Sequence, residues 1–384
     1  MNNPVEKRNG VLRAIALFIA AFAIPIFLYW ILYLRFYTST NDAYVEGNAV
    51  ILMAPINGIV VGIYADDNNY VKEGEVIIKL DQTNYQLAYN AAIIQLALAS
   101  RDVKQLWENV RQRKADLALK KAELLKTQQD LASRQSLIGS QAVSTEDFQH
   151  AQANQSIAQA AVHVAEDQLQ AAIASLGSTV LEAHPSIDKA KVALKEAYTN
   201  LYRCNILAPV SGYVAQRRVQ VGEFVDTTKA LLSIIQLDDV WVTANFKETQ
   251  LGEVRIGQPA TIESDFYGSR VIFDGIVQGI GAGTGSQFSL IPPQNATGNW
   301  IKIVQRIPVR ILLSKEQVKK HPLLLGLSMY VSVSVKDQSG LRLALQPPPT
   351  LQYKTSVFEV PLDSIDSIIE EIVNLNLYGN KNGP

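Results

Sequence analysis

An apolar stretch of 21 residues without a charged residue lies near the start of the chain, from Ala14 to Leu34. A helix of this length rises about 31 Å, which matches the hydrocarbon core of a bilayer. Pro25 lies inside the stretch, which a membrane helix tolerates, and Trp30 lies near its far end, where interfacial aromatic residues are common. The pattern predicts a single transmembrane anchor over residues 14–35.

Basic residues lie mainly on the N-terminal side of this anchor, at Lys7, Arg8 and Arg13. The positive-inside bias therefore places residues 1–13 in the cytoplasm and the rest of the chain on the other side of the membrane. The alternative is a cleaved signal peptide with a small-residue cleavage site over 21–23. The apolar run continues well past that site, which favours the anchor.

Apolar residues then recur at every seventh position through a segment with few Gly or Pro residues. The first series is Leu96, Val103, Val110, Leu117, Leu124, Leu131 and Ile138; the second is Phe148, Gln155, Val162, Leu169 and Leu176, with Ala151, Ala158, Ala165 and Ala172 beside it. Between them, Ser144 precedes acidic residues as a helix N-cap does. Two heptad series joined by a short loop predict an antiparallel coiled-coil hairpin over 83–205, with its tip at about 138–145.

Gly177 and Pro185 interrupt the second arm, and the apolar pattern resumes at Ile187. We expect the proline to restart a helix at its first turn. A hairpin of this length would extend far from the domain that carries it. A coiled-coil dimerisation stalk is the alternative interpretation of the heptads.

A short sequence repeats on both sides of the hairpin. Before it stands Ala54-Pro55-Ile56-Asn57-Gly58-Ile59-Val60, and after it stands Ala208-Pro209-Val210-Ser211-Gly212-Tyr213-Val214. Each copy continues with β-prone residues and turn signals. We therefore expect residues 41–82 and 206–238 to pair into one small β-domain from which the hairpin projects. The first of these two segments also includes the entry into the β-barrel predicted below.

Residues 239–337 alternate between apolar and polar side chains with frequent Gly and Pro, which predicts a small β-barrel. The remaining segment, 338–384, contains an amphipathic stripe of Leu362, Ile365, Ile369 and Ile372. We expect this tail helix to pack on the barrel or on a neighbouring subunit.

The composition excludes several classes of function. With 35 Lys and Arg against 36 Asp and Glu, the chain lacks the basic balance of a nucleic-acid-binding protein. Its single cysteine cannot form an intrachain disulfide or a multi-cysteine metal site. The four histidines are scattered without ligand spacing. We expect no enzymatic activity, no metal and no cofactor.

The repeated segments resemble the biotinyl/lipoyl-like half-motifs of the membrane fusion, or periplasmic adaptor, proteins of the HlyD-like family. A true carrier domain holds its cofactor on a lysine at a tight turn, whereas here the junction reads Gln82-Thr83-Asn84 and opens into the hairpin. The strings Asn41–Val45, Ala244–Leu251, Arg255–Pro259 and Asn295–Arg306 are similar to the Emr-type branch of that family. The residues that carry this similarity include Asn245, Phe246, Lys247, Gly298, Asn299 and Trp300.

The resemblance implies an α+β protein: one transmembrane helix, a split lipoyl-like β-domain with a long inserted hairpin, and a small β-barrel. It also implies an inner-membrane, single-pass adaptor with its bulk in the periplasm of a Gram-negative bacterium. The implied partners are a major-facilitator drug/proton antiporter and a TolC-like outer-membrane channel, for export of hydrophobic drugs. Closing a conduit round a pore requires several copies, so we expect a homo-oligomer between dimer and hexamer, most simply a trimer or hexamer.

In related adaptors the hairpin tip meets the channel through an Arg, a Leu four residues on and a Ser seven beyond that. Leu137 and Ser144 keep the second spacing, but Ser133 stands at the Arg position and the nearest arginine is Arg134. The implied tip contacts are Arg134, Leu137, Ile138, Gly139 and Ser144. Two alternatives remain open: the adaptor of an ABC-type protein-secretion system, and a coiled-coil envelope tether without a role in transport.

Overall fold

The computed structural model describes residues 15–379, apart from 16, 20, 22, 26, 139–142, 178–179, 289–301 and 345–352. The described strands are β1 (Tyr37–Met53), β2 (Gly58–Ile63), β3 (Tyr70–Val71), β4 (Val76–Leu80), β5 (Asn205–Leu207), β6 (Gly212–Ala215), β7 (Phe224–Val225), β8 (Ala230–Lys247), β9 (Pro259–Ser264), β10 (Ile272–Ile280), β11 (Arg306–Leu313) and β12 (Ser328–Ser334). Besides the N-terminal helical residues, the helices are α1 (Thr83–Leu137), α2 (Thr145–Leu176), α3 (Pro185–Arg203), α4 (Lys315–Lys320) and α5 (Asp363–Tyr378).

The heptad series fold into two antiparallel arms, α1 and α2, as predicted. Across the arms, Arg113 donates a hydrogen bond to Gln168, and Lys121 forms an ion pair with Glu166. The small residues of the second series are buried in the seam: Ala151, Ala158, Ala165 and Ala172. Because alanine ends at Cβ, the two helices approach closely at these positions.

The returning arm breaks where the sequence predicts. Helix α2 ends at Gly177, whose φ of 77° is accessible to glycine at little cost. Helix α3 begins with Pro185 in its first turn, where the missing N–H costs no hydrogen bond. Its Ile187 and Leu194 are fully buried against α1.

The tail helix α5 packs against the base of the hairpin, so the expected packing on the barrel was wrong, while packing on a neighbouring subunit stays a prediction. Its buried residues are Ile365, Ile369, Val373 and Leu377, whereas Leu362 is exposed and Ile372 is only partly buried. They join a core with Leu96 of α1 and Leu194 of α3. Once α2 has ended, α3 and α5 together cover the apolar face of α1.

The two half-motifs pair into one β-domain, as predicted. Strands β2, β3 and β4 of the first half pair with β7, β6 and β5 of the second. Both halves contain the same turn: Gly74 and Gly222 have φ of 81° and 85°, and the carboxylates of Glu75 and Glu223 each accept a backbone N–H three residues earlier. At Gly212 a Cβ atom would lie 2.4 Å from the Ile235 carbonyl oxygen, so the close strand approach requires glycine.

The barrel closes through six antiparallel strands in the order β1–β12–β9–β10–β11–β8, with β8 pairing back onto β1. Residues 239–337 supply five of these strands, and the sixth is the first half of β1, which precedes the hairpin. Phe246 and Phe273 lie fully buried in the barrel core. Since β1 and β8 continue from the barrel into the lipoyl-like domain, two shared strands join the domains.

Candidate functional site

The hairpin tip is built from the last turn of α1 and the first turn of α2. The Ser144 hydroxyl accepts a hydrogen bond of 3.0 Å from the Asp147 backbone N–H and donates one of 2.6 Å to the Asp147 carboxylate. This hydroxyl, with a smaller contribution from the charge of Arg134, holds the pKa of Asp147 below its ordinary value. The predicted cap at Ser144 is confirmed, and it fixes where the second arm begins.

Arg134 ties the two arms together within the chain. Its guanidinium lies 3.1 Å from the Asp130 carboxylate on α1, and it donates a hydrogen bond of 3.4 Å to the backbone carbonyl of Asp147 on α2. The side chain is therefore already engaged by the protein's own groups. In this structure its role is to hold the tip together.

The apolar tip residues are more accessible. Leu137 and Ile138, at the end of α1, are 45% and 44% exposed. Half-exposed leucine and isoleucine at the end of a long projection are suited to contact another protein. Gly139, the remaining tip residue predicted from the resemblance, lies outside the described residues.

Three of the family-like strings meet on the barrel surface. The Asn245 side chain donates to the Asp42 carboxylate at 3.2 Å, and the Arg306 guanidinium lies 2.9 Å from the other oxygen of the same carboxylate. Thr40 donates to the backbone carbonyl of Asn245 at 2.9 Å. The network joins β1, β8 and β11 at the end of the barrel where the chain enters from the N-terminal helix.

The other motif residues divide by location. Phe246 points into the barrel core and is fully buried, while its neighbour Lys247 is exposed. Gly298, Asn299 and Trp300 lie outside the described residues. The described part of this motif therefore has a structural role, with Phe246 packing the core and Asn245 closing the barrel.

A further polar row continues along the same face, which the sequence reasoning missed. Glu46 accepts hydrogen bonds from Thr243 at 2.7 Å and from the indole of Trp241 at 3.3 Å, and the Arg310 guanidinium lies 3.7 Å from the centre of the Trp241 ring. The signal that could have found them is period-two spacing. Trp241, Thr243 and Asn245 share one face of β8, as Arg306 and Arg310 share one face of β11.

The N-terminal segment is helical over its described residues up to Leu32. Trp30 is 52% exposed and stacks on Phe27, and Pro25 is exposed within the helix. Leu34 begins a 3-10 turn, Leu34–Phe36, that leads into β1, and Ala14 lies outside the described residues. Judged on the described positions alone, no helix has the length and hydropathy needed to span a bilayer.

The single cysteine lies inside the lipoyl-like core. Cys204 is fully buried, and burial raises the pKa of its thiol to about 11. A thiol with this pKa stays protonated at neutral pH and is a poor nucleophile. Within the described ranges, no three His, Cys, Asp or Glu side chains are grouped as metal ligands would be.

Two family models of known proteins match this chain, one over the hairpin and one over the barrel. A family model described as the EMRA alpha-helical hairpin domain matches residues 83–204, and a model described as the AAEA-like beta-barrel domain matches residues 239–334.

Three curated relatives match over nearly their full length. The Multidrug export protein EmrA of Haemophilus influenzae is 39% identical over 378 residues, which is 98% of this chain and 97% of that protein. The Multidrug export protein EmrA of Escherichia coli is 40% identical over 92% of this chain and 91% of its own length. The Fatty acid resistance protein FarA of Neisseria gonorrhoeae is 41% identical over 97% of this chain and 94% of its own length.

Proposed function

The chain belongs to the EmrA family of multidrug export proteins, and we infer from this membership that it is the periplasmic adaptor, or membrane fusion, subunit of a tripartite multidrug efflux system. It links an inner-membrane major-facilitator drug/proton antiporter to a TolC-like outer-membrane channel. The observation that carries this proposal is identity of about 40% over nearly the whole chain, hairpin and barrel included. The cargo consists of hydrophobic drugs and toxic compounds.

The N-terminal segment anchors the adaptor. Residues 14–35 cross the inner membrane once, with residues 1–13 in the cytoplasm and the rest in the periplasm. The exposed apolar and aromatic side chains of this helix support the assignment; among them are Leu17, Phe18, Ile24, Phe27, Leu28 and Trp30. In water so much exposed apolar surface on one helix is unfavourable, whereas lipid covers it.

The hairpin carries the connection away from the membrane. Helix α1 has 55 residues, so it spans about 80 Å at 1.5 Å per residue. Its tip presents Leu137 and Ile138 to the channel, and Ser144, the cap of α2, begins the second arm. We assign Arg134 to tip cohesion rather than to channel contact, because Asp130 and Asp147 already engage it.

Several copies act together. One hairpin cannot enclose a conduit, so the adaptor works as a ring-like homo-oligomer, most simply a trimer or hexamer. The adaptor supports export by holding the pump and the channel in alignment. The driving energy comes from the pump.

The sharpest test places a photocrosslinking residue at the tip in intact cells. With the crosslinker at position 137, we expect capture of an outer-membrane channel protein. With the crosslinker at Leu119, which is 64% exposed on α1 but well below the tip, we expect no capture of the channel.

The substitution Leu137→Asp should abolish drug tolerance without affecting membrane insertion, while Leu119→Asp should leave tolerance intact. Normal tolerance in Leu137→Asp would contradict the tip contact.

The two alternatives make different predictions. An ABC-type secretion adaptor predicts that deletion of the gene stops export of a protein while drug tolerance is unchanged. An envelope tether predicts that no transporter co-purifies with the chain.

Because one relative is named a fatty acid resistance protein, the deletion strain should be tested with long-chain fatty acids as well as with drugs.

A further inference from the structure

One end of the barrel adjoins the N-terminal helix. At that end, Tyr37 of β1 pairs with Ser334 of β12, and Lys247 of β8 pairs with Arg306 of β11. The described loop residues 281–288, 302–305 and 335–344 therefore lie at the same end. The opposite end holds α4 and the continuation of β1 and β8 into the lipoyl-like domain.

These loops expose apolar side chains together with cations. We define the barrel rim as Phe288, Lys302, Ile303, Leu341, Arg342 and Leu343. The apolar members are exposed by 75% at Phe288, 62% at Ile303, and 54% at Leu341 and Leu343. Lys302 lies 3.9 Å from the carboxylate of Glu248, and Arg342 donates to the Gly252 carbonyl at 3.3 Å. Loop tips are usually polar, so a concentration of exposed apolar residues here indicates a contact surface.

The covalent connection limits how far the rim can lie from the anchor. Tyr37 is seven positions after Trp30, which at a helical rise of 1.5 Å per residue is about 10 Å. Tyr33 stacks on both Tyr29 and Tyr37, and the Val335 N–H donates to the Phe36 carbonyl at 2.8 Å. The helix is thus joined to the rim end of the barrel by packed aromatic rings and a backbone hydrogen bond.

We propose that the barrel rim rests on the outer surface of the same bilayer that holds the anchor, with its apolar tips in the headgroup layer and Lys302 and Arg342 beside lipid phosphates. The inference rests on the proposed membrane anchoring. Tyr37 lies about 10 Å along the chain from the aromatic end of the anchor, and the rim loops continue past the strand ends on that side, so they are within reach of a headgroup layer about 5–7 Å deep. The mixture of apolar tips and cations is what an anionic lipid surface binds.

The consequence is mechanical. With two attachments, the anchor and the rim, the barrel cannot pivot freely about the short turn at Leu34–Phe36. The hairpin then projects at a fixed angle from the membrane. With the anchor as the sole attachment, the angle between the hairpin and the membrane would be fixed only by packing between copies in the oligomer.

The test measures the immersion depth of single nitroxide labels on the full chain, reconstituted in vesicles of phosphatidylethanolamine and phosphatidylglycerol without other proteins. The native Cys204 can be kept because it is buried and its pKa is about 11, and the chain without an added cysteine checks that it does not label. Labels replace Phe288 and Leu343 on the rim. Leu28 serves as the anchor reference and Val192, 65% exposed on α3, as the reference in water.

We expect the ratio of oxygen to nickel-chelate accessibility to be highest at position 28, intermediate at 288 and 343, and lowest at 192. If positions 288 and 343 match 192 while 28 is immersed, the rim inference is overturned and the anchor stands. If position 28 also matches 192, the proposed anchoring fails, and the inference with it. Loss of access to both oxygen and the nickel chelate at positions 288 and 343, seen only after the partner pump is added, would identify the rim as a protein interface and would equally overturn the proposal.

Discussion

The base and the upper arms of the same hairpin are held together in different ways. At the base, α1, α3 and α5 form a three-helix core in which Leu96, Leu194 and Ile365 are fully buried. Higher up, α1 faces α2 alone, and its seam residues Leu117 and Leu131 are only half-buried. Two helices cannot enclose a large side chain from all sides, whereas three can. The base therefore acts as a rigid root, and the arms depend on the close approach of small residues.

Polar contacts hold both ends of the tail helix at the base. Asp366 pairs with Lys195 at 2.5 Å, near the start of α5. Near its end, Arg101 donates to Asn376 at 2.8 Å, and the Tyr378 hydroxyl donates to Glu182 in the turn between α2 and α3. The Glu182 contact raises the pKa of Tyr378, with a smaller contribution from burial. The tail thereby bridges the break in the returning arm.

The largest expected effect comes from detaching the tail. Ile369 is 4% exposed, so Ile369→Asp buries an unpaired charge and should cost about 4 kcal/mol of unfolding free energy, or release α5 altogether. Urea unfolding and protease cleavage within 353–379 measure the two outcomes. The matched control is Leu375→Asp, on the same helix but 53% exposed, which should behave as the parent chain. Equal behaviour of both variants would refute the three-helix root.

Shortening one leucine in each region compares the two cores directly. Leu96→Ala should destabilise the chain by about 3 kcal/mol because it leaves a cavity in the root, while Leu131→Ala should cost about 1 kcal/mol because water already reaches that side chain. Loss of helical signal in far-ultraviolet circular dichroism during urea unfolding gives both values. Equal costs would mean that the arms are packed as tightly as the root.

Enlarging a seam alanine tests the close approach of the arms. Ala165 is 4% exposed between α1 and α2, so Ala165→Leu should push the helices apart and cost about 2 kcal/mol. The control is Ala153→Leu, at an exposed position of the same helix, which should be neutral. Thermal melting separates them. A neutral Ala165→Leu would show that the arms do not rely on small residues.

The smallest effect concerns the cap at the tip. Ser144→Ala should cost about 1 kcal/mol, because the Asp147 N–H loses its acceptor. The Ser144 hydroxyl also keeps the pKa of Asp147 below its ordinary value of 3.8. The resulting stabilisation is present above that value and is lost as the pH falls through the lower pKa of the folded chain. The parent chain should therefore lose more stability below pH 3.8 than the variant, and Ser156→Ala, on an exposed turn of α2, should match the parent.

Much of the hairpin could be predicted from sequence because it is built from local contacts. The heptads located both arms, Ser144 located the start of α2, and Pro185 located the restart at α3. The packing site of the tail could not be predicted. An amphipathic stripe reports that a face will be buried but not what covers it, and the residues that cover α5 are more than 150 positions earlier in the chain.

The candidate site divides in the same way. Spacing and resemblance selected Leu137, Ser144 and Asn245 as candidate site residues, whereas the hydrogen-bond partners of Asn245 could be read only from the fold. Arg134 is the arginine nearest to the position at which the resemblance implies a channel contact, yet in the structure it contacts Asp130 and Asp147 of its own chain. The contact of Asn245 with Asp42 joins strands separated by the whole hairpin. Such pairings depend on strand register, which is set by the closed barrel rather than by either string alone.

The sequence by itself determined the order of the elements, the split repeat, the length of the hairpin and the absence of a lysine at the carrier turn. These features follow from hydrophobic periodicity, from the positions of glycine and proline, and from residue identity, because each of these acts on the local backbone. Only the tertiary structure decided that the first half of β1 closes the barrel, that α5 completes the hairpin root, and that the rim loops lie at the barrel end that adjoins the N-terminal helix. Those outcomes depend on long-range pairing, where burial of apolar faces chooses among many partners that are locally equivalent.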